Sequence, residues 1–314
     1  MEVFEVIQPG PLTTVQDLGR FGYQQFGVPT SGALDNYAFR IGNILVGNDE
    51  NSASLEITLF GCRLRALQDT KVAITGADMA AIVNGEPAPA WESLAVKSGD
   101  VLAFPRLKGG CRAYLAVSGG IDVTLVMKSA STYTKAGIGG LGGRPLRPGD
   151  IVKAKAGAIS KAGAHLPARY IPAYENQITL RVVPGPQDDC FTREGIHTLF
   201  NSEYIVSAQA DRMGYRLEGP PVKHREGADI ISDGIPLGAV QVPGDGLPII
   251  LLADRQTTGG YTKIATVISV DITRIAQAKP GDRVKFQRVT SGQAVALLRK
   301  YEQRIEMIKA SLCA

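Results

Sequence analysis

Hydrophobic residues along the chain fall mostly into short runs of Val, Ile and Leu that are bounded by Gly, Pro or Asp. Runs of this length between turn residues are typical of β-strands. The clearest runs cover residues 71–75, 112–117, 178–183, 248–253 and 263–270. Three further runs each follow a Gly-Asp pair, as expected of a turn that leads into a strand. These pairs are Gly99-Asp100, Gly149-Asp150 and Gly281-Asp282, and the pattern as a whole predicts a mainly β protein.

Two segments instead have apolar residues at helical spacing. The first is expected to start after Ser31, as its N-cap, and to stop at Gly47. Its apolar positions are Leu34, Tyr37, Ile41 and Leu45. The second runs from about Ser291 to Leu312, with one apolar stripe among Arg, Lys and Glu. We favour packing of this helix against the strands, and a coiled-coil contact with a partner is the alternative.

A weak self-similarity at an offset of about 176 residues suggests a duplicated fold. The matched pairs are Asp35 with Asp211, Asp78 with Asp254 and, after a small slip, Phe104 with Phe286. We therefore predict two related domains, residues 1–165 and 166–314, which meet near the Ala/Gly/Lys-rich stretch 153–168. Chance similarity between short blocks is the alternative.

Composition and charge exclude several classes of protein. Hydrophobic residues make up 44% of the chain and charged residues 20%, which provides a packed core and excludes a mainly disordered chain. The net charge is +4, and the basic residues are spread along the chain without forming a run. Nucleic-acid binding is therefore not expected. No apolar stretch approaches the roughly 20 residues that cross a bilayer, and the N-terminus lacks a signal core. We therefore expect a cytoplasmic protein that does not contact a membrane.

Residues that commonly bind metals are dispersed along the chain. The three histidines are isolated from one another, and the cysteines Cys62, Cys111, Cys190 and Cys313 include no close pair. We therefore expect reduced, mostly buried thiols and no metal site.

Candidate chemistry concentrates between Ser232 and Lys263. After an apolar strand, the segment from Asp254 to Gly260 places a carboxylate, a guanidinium, an amide and two hydroxyls before two glycines, which let backbone amides approach a ligand. Buried polar groups at a strand end cost free energy unless they bind one another or a ligand, which favours a small-molecule site over a plain hairpin loop. The candidate catalytic residues are Asp254, Arg255, Gln256, Thr257 and Lys263. The candidate substrate-binding residues here are Gln241, Thr258, Gly259 and Gly260.

Two N-terminal segments, residues 13–20 and 28–35, also combine turn residues with hydroxyls. Because free backbone amides at a helix start favour an anion, Ser31, Gly32 and Asp35 are further candidates for substrate binding. A capped helix explains Ser31 and Gly32 equally well. The glycine-rich segment 137–143 lacks the strand-to-helix context of a nucleotide-binding loop, and we expect a flexible hairpin or lid there.

Five segments of the sequence carry a resemblance to a known family. They are TTVQDLGRFGYQQFGVPTSGALD, NILVGNDENSASLEITLFG, STYTKAGIGGLGGRPLRPGD, DRMGYRLEG and GAVQVPGDGLPIILLADRQTTGGYTKIA. On these segments, from about residue 8 to residue 286, the chain resembles the biotin-dependent carboxyltransferase family, also called allophanate hydrolase subunit 2 or KipA-like. The resemblance implies two cyclophilin-like β-barrel domains with a few helices.

Members of this family have three kinds of function. Some are the C subunit of 5-oxoprolinase, an enzyme that opens 5-oxo-L-proline to L-glutamate with ATP hydrolysis. Others transfer a carboxyl group from carboxybiotin to urea in urea carboxylase, and KipA antagonises a kinase inhibitor. The sequence has neither a Met-Lys-Met biotin attachment motif nor an ATP-grasp segment, so the resemblance favours the 5-oxoprolinase function over a carboxyltransferase for urea or a related amide and over a regulatory protein.

The resemblance also implies partners for this chain. It implies a protein that is inactive alone and that works with the A-like and B-like (KipI-like) subunits of a 5-oxoprolinase on a small amide or lactam. No tightly bound cofactor is expected, and ATP would be used by the assembled complex.

Under this hypothesis Arg255 and Lys263 bind the anionic group of the substrate or of an activated intermediate. Negative charge develops on the amide oxygen during the reaction. The groups expected to bind that oxygen are Gln256, Thr257 and the backbone amides of Gly259 and Gly260. Asp254 would orient Arg255 or act as a base, and a self-satisfied Asp-Arg pair is the alternative.

Overall fold

The computed structural model describes residues 1–157 and 163–313. The chain divides into two compact units. Unit 1 comprises Met1–Arg20, Ser31–Tyr174 and Arg304–Ala314. Unit 2 comprises Phe21–Thr30 and Glu175–Gln303.

The main division of the chain lies between Tyr174 and Glu175, beyond the Ala/Gly/Lys-rich stretch 153–168 where we predicted it. The segment before Glu175 belongs to unit 1 because it is hydrogen-bonded to that unit. The Tyr37 hydroxyl donates a hydrogen bond to the Tyr170 carbonyl oxygen at 2.7 Å. The Tyr174 hydroxyl donates to the Asp35 carboxylate at 2.9 Å. Composition marks a connecting stretch, but it does not show where the tertiary contacts of that stretch end.

Unit 1 contains two antiparallel sheets. Sheet A consists of β1 (Glu2–Pro9), β4 (Cys62–Ala66), β6 (Ile82–Val83), β7 (Glu86–Pro87), β9 (Val101–Ala103) and β11 (Ile151–Lys153), in the spatial order β11-β1-β4-β9-β6-β7. Sheet B consists of β2 (Leu12–Gln16), β3 (Ser54–Thr58), β5 (Thr70–Asp78), β8 (Ser93–Val96) and β10 (Gly109–Val117), in the order β2-β3-β10-β5-β8. The core of unit 1 includes fully buried side chains from both sheets, among them Phe4, Leu64, Val72, Leu102 and Leu115.

The first helix, α1 (Asn36–Val46), packs on β5 and β10. It ends at Gly47, as predicted, and this glycine has the left-handed backbone of a helix C-cap, with φ +80°. Its N-cap is Asp35, whose carboxylate accepts a hydrogen bond from a backbone N–H of the first turn. The predicted cap, Ser31, is wrong, because Ser31 lies earlier in a non-helical segment and has a φ of +52°.

Unit 2 is built around a closed seven-stranded barrel. In spatial order its strands are β12 (Gln177–Pro184), β19 (Lys263–Val267), β16 (Ala239–Gln241), β17 (Ile249–Leu251), β14 (Gly214–Glu218), β13 (Tyr204–Ala210) and β20 (Arg283–Arg288). The barrel closes through a parallel pair of β12 and β20. A separate two-stranded ribbon joins β15 (Asp229–Gly234) and β18 (Thr258–Tyr261). Unit 2 also contains two short α-helices, α2 (Arg193–Asn201) and α3 (Ile272–Ile275).

The mainly β prediction is confirmed, and most predicted strands lie within observed ones. Residues 71–75 lie in β5, 112–117 in β10 and 178–183 in β12. The predicted strand 263–270 is shorter in the structure, because Ser269–Asp271 forms a 3-10 turn. Each predicted Gly-Asp turn leads directly into a strand, namely β9, β11 and β20. The reason is common to all three turns: the glycine has positive φ, and the aspartate carboxylate accepts a hydrogen bond from the backbone N–H of Lys97, Arg147 or Lys279.

The long C-terminal helix, α4 (Ser291–Cys313), has the predicted extent. Its apolar stripe is buried in the second half only, where Ile305 and Ile308 are 0% and 1% exposed. Lys309 there donates a hydrogen bond to Glu50 at 2.8 Å. Val295 and Leu298 in the first half are 48% and 37% exposed. Packing of the second half against the fold is therefore confirmed. None of the helices described in residues 1–157 and 163–313 has the length and apolarity needed to cross a membrane.

The residue pairs of the apparent repeat are not all equivalent in the structure. Asp35 caps α1, whereas Asp211 lies in the turn between β13 and β14. The residues that follow them are helical at 39–41 but extended at 215–217. The pairing of Asp35 with Asp211 is therefore wrong. A turn aspartate followed by an apolar-polar-apolar triplet is compatible with the start of a helix and with the start of a strand, so the pattern does not distinguish the two. The relation between the two units stays a prediction.

Candidate functional site

Arg255 carries a buried guanidinium with no carboxylate partner among the described residues. It lies shortly after β17 and is 4% exposed. Its Nε donates to the Ile235 carbonyl oxygen at 2.9 Å, and its Nη1 donates to the Leu252 carbonyl oxygen at 3.2 Å. Burial lowers the pKa of Arg255 to about 10. The side chain is therefore still charged at neutral pH, and an anion bound beside it would offset the cost of its burial.

Asp254, the preceding residue, is paired with Arg212. The Nε and Nη2 atoms of Arg212 donate to the two carboxylate oxygens of Asp254 at 2.9 and 3.3 Å, and both side chains are buried. The backbone N–H of Asp254 also donates to the Arg212 carbonyl oxygen at 2.9 Å. A self-satisfied Asp-Arg pair is therefore present, but its arginine is Arg212. Asp254 makes no direct bond that would orient Arg255.

Lys263 is also engaged in the structure. Its buried ammonium donates to the carboxylate of Asp233 at 3.0 Å, and its backbone N–H donates to the Gln187 side-chain oxygen at 3.2 Å. The Lys263 ammonium, together with the backbone N–H of Gly234, holds the pKa of Asp233 below its ordinary value. An anionic ligand could bind Lys263 only by competing with Asp233, whose side chain is 54% exposed.

Gly259 lies where two side-chain amides converge. A Cβ at this position would lie 2.7 Å from Ile235 Cδ1, 3.2 Å from Gln241 Nε2 and 3.5 Å from Gln256 Nε2. Gln241 is buried, and its Nε2 donates to the Tyr261 carbonyl oxygen at 3.3 Å. The absence of a side chain at Gly259 therefore leaves room for the Gln241 amide beside the ribbon.

The remaining candidates of this region lie in or beside the ribbon. Thr258, Gly259 and Gly260 form part of β18, where Gly259 is opposite Asp233. Neither glycine has positive φ, so they form extended strand rather than a left-handed, anion-binding loop. Gln256 and Thr258 are exposed and Thr257 is half-buried. The Thr257 carbonyl oxygen accepts a hydrogen bond from the Ile235 N–H at 3.0 Å. Unit 2 thus brings five of the predicted residues together around Ile235 and the backbone of Gly259. They are Arg255, Gln241, Gln256, Thr257 and Gly259.

The three N-terminal candidates belong to unit 1 and differ from one another. Ser31 is 5% exposed, and its hydroxyl has no hydrogen-bond partner among the described residues. Gly32 has a φ of +93°, and a Cβ there would lie 2.8 Å from the Leu18 carbonyl oxygen, so only glycine fits. Asp35 is occupied by the cap of α1 and by Tyr174. Ser31 is therefore the one of the three with a side-chain group available to a ligand.

Sequence reasoning missed a buried polar cluster in unit 1 around Asp17. The Asp17 carboxylate accepts hydrogen bonds from the Ser129 hydroxyl at 2.7 Å, the Ser131 hydroxyl at 2.5 Å and the Ala130 N–H at 2.6 Å. The segment 137–143, expected to be a flexible hairpin or lid, packs closely on this cluster, since a Cβ at Gly139 would clash with the Ser131 carbonyl oxygen. Asp17 and the serines lie in or beside two of the segments that carry the family resemblance, which is the signal that could have joined them.

Arg212, Asp233 and Gln187 were also missed, although they are bonded to the predicted residues Asp254 and Lys263. Among residues 1–157 and 163–313, no group of three His, Cys, Asp or Glu residues is arranged to hold a metal ion. The expected absence of a metal and of a tightly bound cofactor stays a prediction.

Comparison with known proteins places these residues in a family. The model of the carboxyltransferase domain, subdomain A and B, matches residues 26–288. The chain is 36% identical to the 5-oxoprolinase C subunit of Haemophilus influenzae over 98% of both chains. It is 39% identical to the 5-oxoprolinase C subunit of Escherichia coli over 98% of this chain and 97% of that one. Among solved structures it is similar to the K. lactis urea amidolyase, with a TM-score of 0.91 and 32% identity over 98% of this chain and 20% of that one.

Proposed function

Since the chain belongs to the carboxyltransferase domain family, subdomain A and B, we propose that it is the C subunit of a 5-oxoprolinase. The assembled enzyme would open 5-oxo-L-proline to L-glutamate with hydrolysis of ATP. The observation that carries this proposal is the match to two bacterial subunits of that name over nearly the full length of each chain.

The chemistry of the site in unit 2 supports a role in charge stabilisation. Opening a lactam places negative charge on its carbonyl oxygen, and donors fixed in a water-poor site stabilise that charge most effectively. Arg255 provides a buried cation that has no carboxylate partner among the described residues, and the amides of Gln241 and Gln256 lie beside Gly259. Arg255 would bind the carboxylate or the developing oxyanion, with the amides as further donors.

The partners of this chain are part of the proposal. We expect A-like and B-like (KipI-like) 5-oxoprolinase subunits to complete the enzyme, and ATP to be used by the assembled complex in the cytoplasm. The chain alone would bind or position the substrate without turning it over. Asp254 and Lys263 would then act chiefly by holding Arg212 and Asp233 in place, since those are their bonded partners.

Reconstitution tests the proposal directly. The chain is combined with the purified A-like and B-like subunits from the same genome, and ADP and glutamate release are measured with and without 5-oxoproline. We expect 5-oxoproline-dependent release only when all three proteins are present. Equal turnover without this chain would contradict the proposal. So would a chain that binds its partners and changes their activity without being required for it, which is the regulatory outcome.

A second candidate is the carboxyltransferase component of an enzyme that acts on urea or a related amide. The TM-score of 0.91 with the K. lactis urea amidolyase favours it. The two candidates differ in substrate and in biotin dependence. If urea and a carrier protein that bears carboxybiotin replace 5-oxoproline, and the carboxyl group is transferred from the carboxybiotin to urea, the second candidate is supported and the first is not.

A further inference from the structure

Unit 1 contains a groove of about 600 Å³ on sheet A, away in sequence from every residue considered for the proposed function. Its size falls in the range of roughly 300–1,000 Å³ that is typical of small-molecule sites. It lies over the ends of β1, β4, β6 and β9 and beside the turn that carries Phe60. We call it the sheet A groove, and the residues that matter for its chemistry are Gln8, Phe60, Arg63, Ile82 and Ala103.

The register of sheet A explains why a groove forms here. Gln8 is opposite Arg63, Arg63 is opposite Ala103, and Ala103 is opposite Ile82. Residues directly opposite in an antiparallel sheet project from the same face, so these four form one row across four strands. Ala103 is the smallest member of the row, and its short side chain leaves a depression between Arg63 and Ile82.

Arg63 is the one charged residue that lines the groove, and none of the described carboxylates lies within ion-pair distance of it. Arg65 provides the internal comparison, because it is on the same strand, also exposed, and opposite Glu5. Arg65 donates to the Glu5 carboxylate at 2.9 Å. At Arg63 the cross-strand neighbour is the neutral Gln8, so its guanidinium is available to an anion.

The apolar side of the groove completes the site. Phe60 is 47% exposed at its rim, and Ile82 and Ala103 form the surface next to Arg63. An exposed aromatic ring and an aliphatic surface beside a cation fit a ligand that has an apolar body and one negative end.

We propose that the sheet A groove binds a small organic carboxylate with an apolar or aromatic body. The carboxylate pairs with the Arg63 guanidinium, which can donate two parallel hydrogen bonds, and Gln8 supplies a further amide donor. The body lies over Ala103 toward Ile82 and Phe60. This site is independent of the 5-oxoprolinase assignment, because it uses none of the residues on which that assignment relies.

The test is an NMR titration of the full chain with 4-phenylbutyrate as the probe, in protein with labelled Ile and Ala methyl groups. We expect saturable shifts at Ile82 and Ala103. Arg63→Gln should weaken binding about tenfold or more, whereas Arg65→Gln, the matched control, should leave it unchanged. The uncharged analogue 4-phenylbutanamide should also bind at least about tenfold more weakly.

A second variant keeps the test independent of the charge. Ala103→Val fills the depression without altering Arg63, and it should also weaken binding. The proposal is overturned if Ile82 and Ala103 show no saturable shifts, if Arg63→Gln and Arg65→Gln weaken binding equally, or if the amide binds as tightly as the carboxylate. The small-ligand proposal would also be overturned if the groove does not bind 4-phenylbutyrate but binds an acidic segment of a partner protein.

Discussion

Arg212 holds both carboxylate oxygens of Asp254, while Arg255, the residue next to Asp254, turns its guanidinium to backbone carbonyl oxygens instead. The two arginines are buried to a similar extent, at 6% and 4% exposure. The charge of Arg212 is thus paired with a carboxylate, whereas the charge of Arg255 meets no carboxylate among the described residues. This difference separates a residue that stabilises the site from one that is available to a ligand.

Arg212→Gln should strongly destabilise the protein, because it leaves the Asp254 carboxylate buried without its partner. Removing one member of a buried ion pair typically costs about 3–5 kcal/mol. Urea unfolding followed by circular dichroism measures the change. The double variant Arg212→Leu/Asp254→Leu should be less destabilised than Arg212→Gln, and Arg216→Gln, an exposed arginine of β14, should change stability by less than about 0.5 kcal/mol.

Arg255→Gln should behave in the opposite way. The substitution removes a buried charge that lacks a carboxylate, which offsets much of the cost of losing its two hydrogen bonds to carbonyl oxygens, so the free energy of unfolding should fall far less than in Arg212→Gln. Turnover of the reconstituted complex should drop about 100-fold. Steady-state ADP release measures the activity, with Arg216→Gln as the matched control. A loss of stability comparable to that of Arg212→Gln, with turnover retained, would assign Arg255 a purely structural role.

Gly259→Ala and Gly260→Ala form a matched pair that differs in the space available. A Cβ at Gly259 would press on Ile235 and displace the buried Gln241 amide, whereas the nearest atom to a Cβ at Gly260 lies 3.4 Å away. We expect Gly259→Ala to cost about 1–3 kcal/mol and to raise KM for 5-oxoproline, with Gly260→Ala close to wild type. Equal effects of the two substitutions would show that the position of Gln241 does not matter for substrate binding.

Ser31→Ala should leave stability almost unchanged, since the Ser31 hydroxyl has no hydrogen-bond partner among the described residues. Ser131→Ala is the control, because its hydroxyl donates to Asp17 at 2.5 Å, and losing it should cost about 1–3 kcal/mol. If Ser31 binds substrate, as we expect, Ser31→Ala raises KM in the reconstituted complex while its melting temperature stays near that of the wild type. Wild-type kinetics would remove Ser31 from the site.

Glu50 should give α4 a pH-dependent attachment. Burial alone would raise the pKa of Glu50, but hydrogen bonds from Lys309 and Arg40 hold it below its ordinary value of 4.5. A carboxyl whose pKa is lowered on folding stabilises the protein above the unfolded pKa, and this contribution is lost as the pH falls through the lower, folded value. Glu50→Gln should therefore lower stability by about 1 kcal/mol at pH 7.

The difference between Glu50→Gln and wild type should shrink below about pH 4.5 and disappear in more acidic solution. Melting temperatures at pH 7, 5, 4 and 3 measure it. Glu218→Gln, an exposed glutamate without a side-chain partner in the described structure, is the control and should show no such trend. A difference that stays constant down to pH 3 would contradict the assigned role of the charge.

Local patterns in the sequence predict the elements of this fold well where a local cause decides them. The Gly-Asp turns form because each aspartate bonds to a backbone N–H within its own turn, and the end of α1 follows from the conformational freedom of Gly47. The cap of the same helix was missed because Ser31 and Asp35 are both chemically suited to it. The choice depends on the path of the chain before the helix.

The candidate site depends even more on contacts between residues that are distant in sequence, which local patterns do not predict. The order of residue types along the chain predicted a polar site at residues 254–260, with Arg255 and Lys263 among its candidate residues. The partners that determine what these residues can do, Arg212 and Asp233, are distant along the chain from the residues that they bind. Neither pairing follows from spacing, because it is the closure of the barrel and the ribbon that brings these segments together.

The parallel pair of β12 and β20 has a consequence for how the protein is made. Residues 177–182 of unit 2 bond to residues 283–288, and unit 1 includes residues from Arg304 onward. Until residues 283–288 have been synthesised, β12 therefore has no parallel neighbour. Until α4 has been synthesised, unit 1 lacks the buried side chains of Ile305 and Ile308. An unpaired strand edge invites association with other nascent chains. We therefore expect truncated products that end before residue 283 to be captured by chaperones or degraded, since unit 2 then lacks β20 and unit 1 lacks its residues from Arg304 onward.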